Sequence, residues 1–126
     1  MIDFPDNKQE SKTLIGIVGP CSAGKTTLIQ KLRAQGYTAR HIAQEHSFVP
    51  DMWRRITNPD VLIYLDVSYE VSMRRRELGM SSEEFGQQLE RLSHSRQHAD
   101  FIVNTDSLNP EDVLEQVQGF LANKSA

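Results

Sequence analysis

The sequence predicts an α/β protein in which a parallel sheet of four to five strands is flanked by helices. Short apolar runs without polar alternation, such as 61–67 (VLIYLDV), are typical of strands that are buried on both faces. These runs alternate with segments of helical periodicity, which is the pattern of strands joined by helical crossovers. The length of 126 residues, with 38% hydrophobic and 25% charged residues, predicts one globular domain. We place that domain at 13–126, after a polar leader at 1–12 that we expect to be flexible.

The first half of the domain contains two predicted strands separated by one predicted helix. Residues 13–18 (TLIGIV) form an apolar run of strand length, and residues 25–34 (KTTLIQKLRA) follow as a helix. Gly36 is expected to end this helix, because glycine adopts the left-handed backbone conformation of a helix C-terminus without strain. Residues 37–43 (YTARHIA) predict the second strand.

The second half continues the alternation. The third strand is predicted at 61–67, and Ser68 is a suitable cap for a helix over 69–78 that Gly79 ends. The fourth strand is predicted at 101–105 (FIVNT). The last helix is indicated by its cap Asn109, by the first-turn residues Pro110, Glu111 and Asp112, and by the apolar stripe Val113, Leu114, Val117, Phe120 and Leu121.

A further helix is predicted between 80 and 99. Ser81 and Glu84 have the spacing of a capping box. Phe85, Leu89 and Leu92 then fall on one helical face, which we expect to be buried.

The carboxyl ends of the predicted strands mark where a ligand would bind. Right-handed crossovers bring these ends to one rim of a parallel sheet, and ligands of such sheets lie at that rim. The residues expected there are Gly19 and those that follow it, Glu45, His46, Asp66, Thr105 and Asp106.

Net charge and cysteine content indicate which binding partners and which cellular compartment to expect. A net charge of −3 disfavours nonspecific binding to nucleic acid, whereas the clusters Arg54–Arg55 and Arg74–Arg76 indicate a local anion site. No apolar run approaches the length of a membrane span. The one cysteine, Cys21, cannot form an intrachain disulfide, and residues 1–12 lack the apolar core of a signal peptide. We therefore expect a cytoplasmic protein.

Residues 19–26 (GPCSAGKT) give the clearest indication of a binding function in the sequence. They match G-x-x-x-x-G-K-[ST] at every specified position, after a predicted strand and before a predicted helix. Main-chain N–H groups of such a loop converge on phosphate oxygens, and the helix N-terminus adds its dipole. Lys25 would reach the terminal phosphates of a nucleotide, and the Thr26 hydroxyl would bind Mg²⁺. We favour Cys21 as a small filler over a redox-sensitive thiol. The predicted phosphate-binding residues are Gly19, Cys21, Ser22, Ala23, Gly24, Lys25, Thr26 and Thr27.

Four stretches together resemble the P-loop small-molecule kinases, the group that includes shikimate, gluconate, nucleoside and nucleotide kinases. They are the phosphate loop, 61–76 (VLIYLDVSYEVSMRRR), the lid-like segment 77–98, and 99–117 (ADFIVNTDSLNPEDVLEQV). They cover most of 13–122. The resemblance implies a three-layer P-loop NTPase fold, ATP and Mg²⁺ as cofactors, and transfer of the γ-phosphoryl group to a small-molecule acceptor.

The resemblance also implies roles for residues outside the loop. In these kinases lid arginines clamp the transferring phosphoryl group, whose spread charge needs donors that are already in place. Arg74 and Arg75 occupy the matching stretch, Arg91 and Arg96 are weaker candidates, and a solvated basic helix face is the alternative. The loop after the last strand, which includes Asp106, would contact the adenine.

Two acids at strand ends are candidates for catalysis and for metal binding, alongside Lys25 and Thr26. If the second strand lies beside the first, Glu45 would hold a metal-bound water or accept the proton of an acceptor hydroxyl. A surface ion pair or cap is the alternative for Glu45. Asp66 fits the acid that ends a Walker B strand and would bind Mg²⁺, whereas its alternative role is structural.

Segment 44–60 departs from the resembled kinases. It is too short for a further strand together with an acceptor-binding insertion. Trp53 would serve as a platform over an acceptor, anchor a protein interface together with Arg54 or Arg55, or pack under the sheet. Two functions therefore remain open. We favour an ATP-dependent small-molecule kinase over a noncatalytic or slowly hydrolysing module that signals its nucleotide state to a protein partner.

Overall fold

The computed structural model of the chain describes residues 13–76 and 79–125. The predicted leader, 1–12, and the end of the helix predicted over 69–78 lie outside the described residues. No described helix is both long enough and apolar enough to cross a membrane.

The described chain contains a parallel sheet of four strands, which confirms the predicted α/β class. The strands are β1 (Leu14–Val18), β2 (Thr38–His41), β3 (Val61–Asp66) and β4 (Phe101–Asn104). Their order across the sheet is β2-β1-β3-β4, and every neighbouring pair is parallel. Ile17 lies opposite both His41 of β2 and Ile63 of β3, so the carboxyl ends of β1 and β2 meet at one rim.

In the described part of the chain, three helices and two short helical turns connect these strands, and a fourth helix follows β4. The helices are α1 (Lys25–Ala34), α2 (Tyr69–Arg76), α3 (Ser82–His98) and α4 (Pro110–Ser125). A 3₁₀ turn at Gln44–His46 and a π-helical turn at Trp53–Thr57 occupy the connection between β2 and β3. That connection therefore has no further strand, as the short segment 44–60 predicted.

The predicted start signals of two helices are confirmed by their hydrogen bonds. The main-chain N–H of Glu84 donates to Ser81 Oγ over 3.1 Å, and the Ser81 N–H donates to Glu84 Oε1 over 2.9 Å. At the start of α4 the N–H of Asp112 donates to Asn109 Oδ1 over 2.8 Å. Each pair satisfies main-chain donors that the first helical turn leaves without a partner.

One face of the sheet packs against α1 and α4. Buried aliphatic side chains of both helices meet the alternating inward residues of the central strands. These side chains are Leu28, Ile29 and Leu32 of α1, Val113, Val117 and Leu121 of α4, and Ile15, Ile17, Ile63 and Leu65 of the sheet. Burial of this apolar surface is the main force that holds the two helices on the sheet.

The other face packs against α3 and Trp53, so the protein has three layers. Leu92 of α3 and Trp53 join Val18, Leu62 and Tyr64 in a second buried cluster. Trp53 is only 6% exposed, so the interpretation in which it packs under the sheet is the one that the structure supports.

The predicted buried face of α3 is partly wrong. Leu89 is 38% exposed, and the buried positions are instead Phe85, Gln88, Leu92 and Ser95. A polar side chain, Gln88, replaces the expected leucine because it hydrogen-bonds the loop after β1. The resemblance expected a lid over 77–98, but within it α3 forms one layer of the fold.

Candidate functional site

A cavity of about 610 Å³ lies at the rim where β1 and β2 end. Its walls come from the loop after β1, from the end of β2, from α2 and from the connection between β4 and α4. The lining residues are 21–28, His41, Glu45, His46, Arg75, Thr105, Leu108, Pro110 and Val113. This cavity therefore lies at the rim that the sequence predicted.

Backbone geometry fixes the course of the loop 19–26. Gly19 has a φ of +154°, and a Cβ at this position would overlap the carbonyl oxygen of Leu65 in β3. Gly24, immediately before α1, has a φ of +100°, and Ser22 has a φ of +66°. Glycine at 19 is thus required by close contact with the neighbouring strand, and glycine at 24 by its left-handed backbone.

The loop presents main-chain donors toward the cavity. Within the described residues, the N–H groups of Ser22, Gly24, Lys25, Thr26 and Thr27 have no hydrogen-bond acceptor. The Ala23 N–H is used internally, by Pro20 O over 3.2 Å. Unpaired donors at a helix N-terminus carry partial positive charge, so the loop can bind an anion such as phosphate.

Lys25 is held inside the loop by three oxygen acceptors. Its Nζ donates to Gly19 O over 2.6 Å and to Pro20 O over 3.0 Å, and lies 3.1 Å from Glu45 Oε2. The side chains of Lys25 and Glu45 are 7% and 3% exposed, so this ion pair is buried. The ammonium group therefore has a fixed position at the floor of the cavity.

Glu45 has one carboxylate oxygen without a partner. Oε2 pairs with Lys25, whereas Oε1 is buried and accepts no hydrogen bond from any described group. The Oγ of Ser22 is buried and unpaired in the same way. Buried polar atoms nearly always have a partner, so these two atoms indicate a polar ligand, a water or a metal ion.

Two histidines complete this side of the cavity. His46 Nε2 lies 3.7 Å from Glu45 Oε2, and its side chain is 61% exposed. Desolvation and, secondarily, the Lys25 ammonium group lower the pKa of His41 below its usual value of 6.5. A neutral His41 ring is therefore favoured beside the positive charge of Lys25.

The two predicted lid arginines have different positions. Arg75 lines the cavity; its Nη1 donates to Ser22 O over 2.9 Å and to Thr105 Oγ1 over 3.1 Å, and its Nη2 donates to Thr105 O. Arg75 thus joins the loop 19–26 to the connection after β4. Arg74 is exposed and makes no hydrogen bond or ion pair with described residues. The structure brings only Arg75 to the site.

Two predicted site acids lie outside the cavity wall. Asp66 Oδ1 accepts from the Val67 N–H over 3.0 Å, and its Oδ2 faces Arg96 at 3.6 Å. Asp106 Oδ1 accepts from the Ser68 N–H over 2.8 Å. Both carboxylates connect parts of the fold, which agrees with the structural alternative for Asp66 and leaves Glu45 as the acid of the cavity.

Two glutamines support the site and were not predicted from the sequence. Gln88 accepts from the Cys21 N–H over 3.1 Å and donates to Cys21 Sγ over 3.2 Å. Gln44, which is fully buried, donates to Val49 O and Arg91 O and accepts from the Trp53 N–H over 2.8 Å. A polar residue at a buried helical position is the sequence signal that identifies such residues, but it does not name their partners.

Arg91 supports the site from outside. Its Nη1 donates to Glu45 O over 3.3 Å, and its guanidinium group lies 4.4 Å from the centre of the exposed Phe48 ring. Arg91 therefore contacts the main chain of the catalytic candidate Glu45 and does not line the cavity.

No protein-family model matches the chain, and no curated protein matches it at a significant level of similarity. The function of the site is therefore inferred from its residues and their geometry.

Proposed function

We propose that the chain is a P-loop NTPase of three-layer type that binds ATP with Mg²⁺ in the cavity and transfers the γ-phosphoryl group to a small-molecule acceptor. The loop 19–26 matches the phosphate-binding motif in sequence, and its free main-chain N–H groups face the cavity. The sequence resembles the P-loop small-molecule kinases, and the cavity has the phosphate-binding groups that this resemblance implies, namely the loop N–H groups and Lys25.

The observation that carries the proposal is the buried pair of Lys25 and Glu45 beside those N–H groups. The Lys25 ammonium group has three oxygen acceptors inside the protein, so it is desolvated and fixed before any ligand binds. A fixed positive group in a site of low dielectric stabilises developing negative charge without reorganisation. Terminal phosphates that enter the loop would replace carbonyl oxygens as acceptors for Lys25.

Mg²⁺ fits the oxygen donors at this rim. The Thr26 hydroxyl and the Glu45 carboxylate both line the cavity, and hydroxyl and carboxylate oxygens are ligands that Mg²⁺ prefers. Glu45 Oε1 has no other partner, so it would hold a metal-bound water or receive the proton of an acceptor hydroxyl. When bound, Mg²⁺ neutralises charge on the phosphate oxygens.

The nucleoside would lie on the side of the cavity formed by the connection between β4 and α4. Leu108, Pro110 and Val113 provide an apolar wall there, and Thr105 is held by Arg75. Apolar surface of this kind suits the face of a purine ring, whereas the opposite side, with Glu45 and His46, suits phosphates and an acceptor.

A second function is favoured by one specific observation. Segment 44–60 forms no open platform, because Trp53 is buried. The exposed large apolar side chains of the segment are Phe48 at 83%, Ile56 at 75% and Val49 at 45%. Exposed aromatic and aliphatic groups mark protein-binding surfaces more often than acceptor pockets. The alternative is therefore a slowly hydrolysing module that reports its nucleotide state to a protein partner.

Nucleotide binding is tested by thermal unfolding of the chain with ATP and GTP, each with and without Mg²⁺. ATP with Mg²⁺ at a hundred times its Kd should stabilise the fold by about 2.7 kcal/mol. Lys25→Met should abolish the stabilisation. The matched control is Lys31→Met, which removes a lysine from an ion pair with Glu111 outside the cavity. Equal unfolding temperatures with and without every nucleotide would contradict the proposal.

Phosphoryl transfer is tested by ADP release in the presence of small alcohols, sugars and nucleosides. A kinase should release ADP faster with one acceptor class than with water alone, and Glu45→Gln should remove that increase. Nucleotide stabilisation without any acceptor-dependent turnover would contradict the kinase and support the signalling module.

A further inference from the structure

We propose that Cys21, Glu45 and His46 form a binding site for a thiophilic divalent cation of the Zn²⁺ class at the edge of the loop 19–26. Each residue offers one ligand atom, and the three atoms lie within 4.8 Å of one another. Thiolate, carboxylate and imidazole are the side-chain ligands of protein Zn²⁺ sites. Three protein ligands with an open position are typical of sites that small molecules can reach.

Glu45 supplies the strongest indication of a cation-binding site. Its carboxylate is 3% exposed, and its Oε1 accepts no hydrogen bond from described groups. Lys25 lies 3.1 Å from the other oxygen, Oε2, and so fixes the orientation of the carboxylate. A cation at Oε1 would satisfy an atom that is otherwise buried without a partner.

Cys21 is oriented by a buried glutamine. Gln88, which is 6% exposed, donates from Nε2 to Cys21 Sγ over 3.2 Å and accepts from the Cys21 N–H through Oε1. Hydrogen bonds to ligand atoms from neighbouring side chains orient metal ligands and adjust their basicity. Metal binding would release the thiol proton of Cys21 to solvent, and a sulfur donor hydrogen-bonded in this way is prepared for that step.

His46 provides the solvent-facing ligand. It follows Glu45 in the 3₁₀ turn, and its Nε2 lies 3.7 Å from Glu45 Oε2. Since the side chain is 61% exposed, a cation can enter from solvent on this side. Sulfur and imidazole select Zn²⁺ and similar ions over Mg²⁺, which prefers oxygen ligands.

The metal-binding test uses Co²⁺ as a spectroscopic substitute for Zn²⁺, on the full chain without nucleotide. Cys21 is the one cysteine of the sequence, so a thiolate-to-Co²⁺ charge-transfer band reports its metal binding alone. We expect one equivalent of Co²⁺ to give the band and one equivalent of Zn²⁺ to remove it. Cys21→Ser should abolish the band, and His46→Ala should weaken Co²⁺ binding by at least about 10-fold.

Two further variants separate a built site from a reactive thiol. Gln88→Leu should weaken binding by about 10-fold, because it removes the hydrogen bonds that orient Cys21. His98→Ala, which removes an exposed histidine from α3, should leave Co²⁺ affinity unchanged. Circular dichroism of each variant without metal verifies that it is folded.

Absence of the band at saturating Co²⁺ in the folded wild type would overturn the proposal. A band whose affinity is the same in wild type, His46→Ala and Glu45→Gln would overturn it as well, because it would show a thiol that binds metal alone. Since no nucleotide is present, neither outcome depends on whether the chain binds ATP.

Discussion

The loop 19–26 and the segment 44–60 lie at the same rim of the sheet but are built in opposite ways. In the loop, the main-chain N–H groups of Ser22, Gly24, Lys25 and Thr26 have no acceptor within the described residues. In segment 44–60, the Gln44 side chain bonds the main chain of Val49 and Trp53. The loop leaves main-chain donors for a ligand, whereas the segment uses the polar groups of Gln44 internally.

This difference indicates where a ligand can bind without first breaking hydrogen bonds within the protein. A phosphate at the loop would pair with donors that currently have no partner, whereas a ligand at segment 44–60 would first have to break hydrogen bonds around Gln44. Glu45 is the point where the two regions meet, because it belongs to the segment but pairs with Lys25 of the loop. We therefore interpret the loop with Glu45 as the site and the rest of the segment as its support.

The largest expected change in the free energy of unfolding comes from breaking the Lys25–Glu45 ion pair, which joins the two regions. Lys25→Met leaves Glu45 buried without its partner, and breaking a buried pair from one side costs about 3–5 kcal/mol. The double variant Lys25→Met with Glu45→Gln should recover most of that loss, because no charge is left unpaired. Urea unfolding measures the three free energies. If Lys25→Met cost less than about 1 kcal/mol, the pair would not be buried as described.

The next largest loss of unfolding free energy is expected where the loop contacts β3 at Gly19. Gly19→Ala places a Cβ against the carbonyl oxygen of Leu65, and overpacking of this kind costs about 1–3 kcal/mol, measured by urea unfolding. The matched control is Gly119→Ala in α4, where a Cβ meets nothing within 4 Å. That control should stabilise the helix by about 0.5–1 kcal/mol. Equal effects at both glycines would show that the loop does not lie against β3.

A polar-to-apolar change should damage segment 44–60 and spare the loop. Gln44→Leu removes the side-chain hydrogen bonds to the Val49 and Arg91 carbonyls and leaves the buried Trp53 N–H without a partner, which should cost about 1–3 kcal/mol of unfolding free energy. Gln87→Leu on the exposed side of α3 serves as the control and should change little. The folded Gln44→Leu protein should still bind ATP, because Gln44 does not line the cavity. Loss of binding in the folded variant would mean that the two regions are not separable.

The smallest expected effect is a change in ATP affinity on substitution of the neighbouring residues Arg74 and Arg75. Arg75→Ala removes the group that holds Ser22 and Thr105 together, so we expect ATP affinity to fall about tenfold, or about 1.4 kcal/mol. Arg74→Ala, one residue earlier and exposed, should stay within about twofold of wild type. Titration calorimetry compares the two variants. Similar losses in both would support a general effect of positive charge.

The sequence predicted the features that depend on local patterns. The capping residues Ser81 and Asn109, the strand-loop-helix context of the loop 19–26 and the four parallel strands could all be inferred from spacing and residue type. The site residues within that loop followed from the same motif.

What the sequence could not predict depends on pairing between distant residues. Gln88 hydrogen-bonds a cysteine 67 positions away, and this contact lies on the buried side of α3. The sequence also did not separate Arg74 from Arg75, because the direction of each side chain depends on the packing of α2 against the loop. The same is true of Asp66, whose partner Arg96 lies on α3.

The most direct test of the central claim is an amide chemical-shift titration with ATP and Mg²⁺. The loop is the proposed phosphate site, so the N–H resonances of Ser22, Gly24, Lys25 and Thr26 should shift most as ATP is added. Trp53 belongs to the second buried cluster, and its indole N–H, which donates to His94, should stay unchanged. Shifts concentrated at Trp53 and Phe48, with the loop resonances unmoved, would contradict the proposal that phosphate binds at residues 19–26.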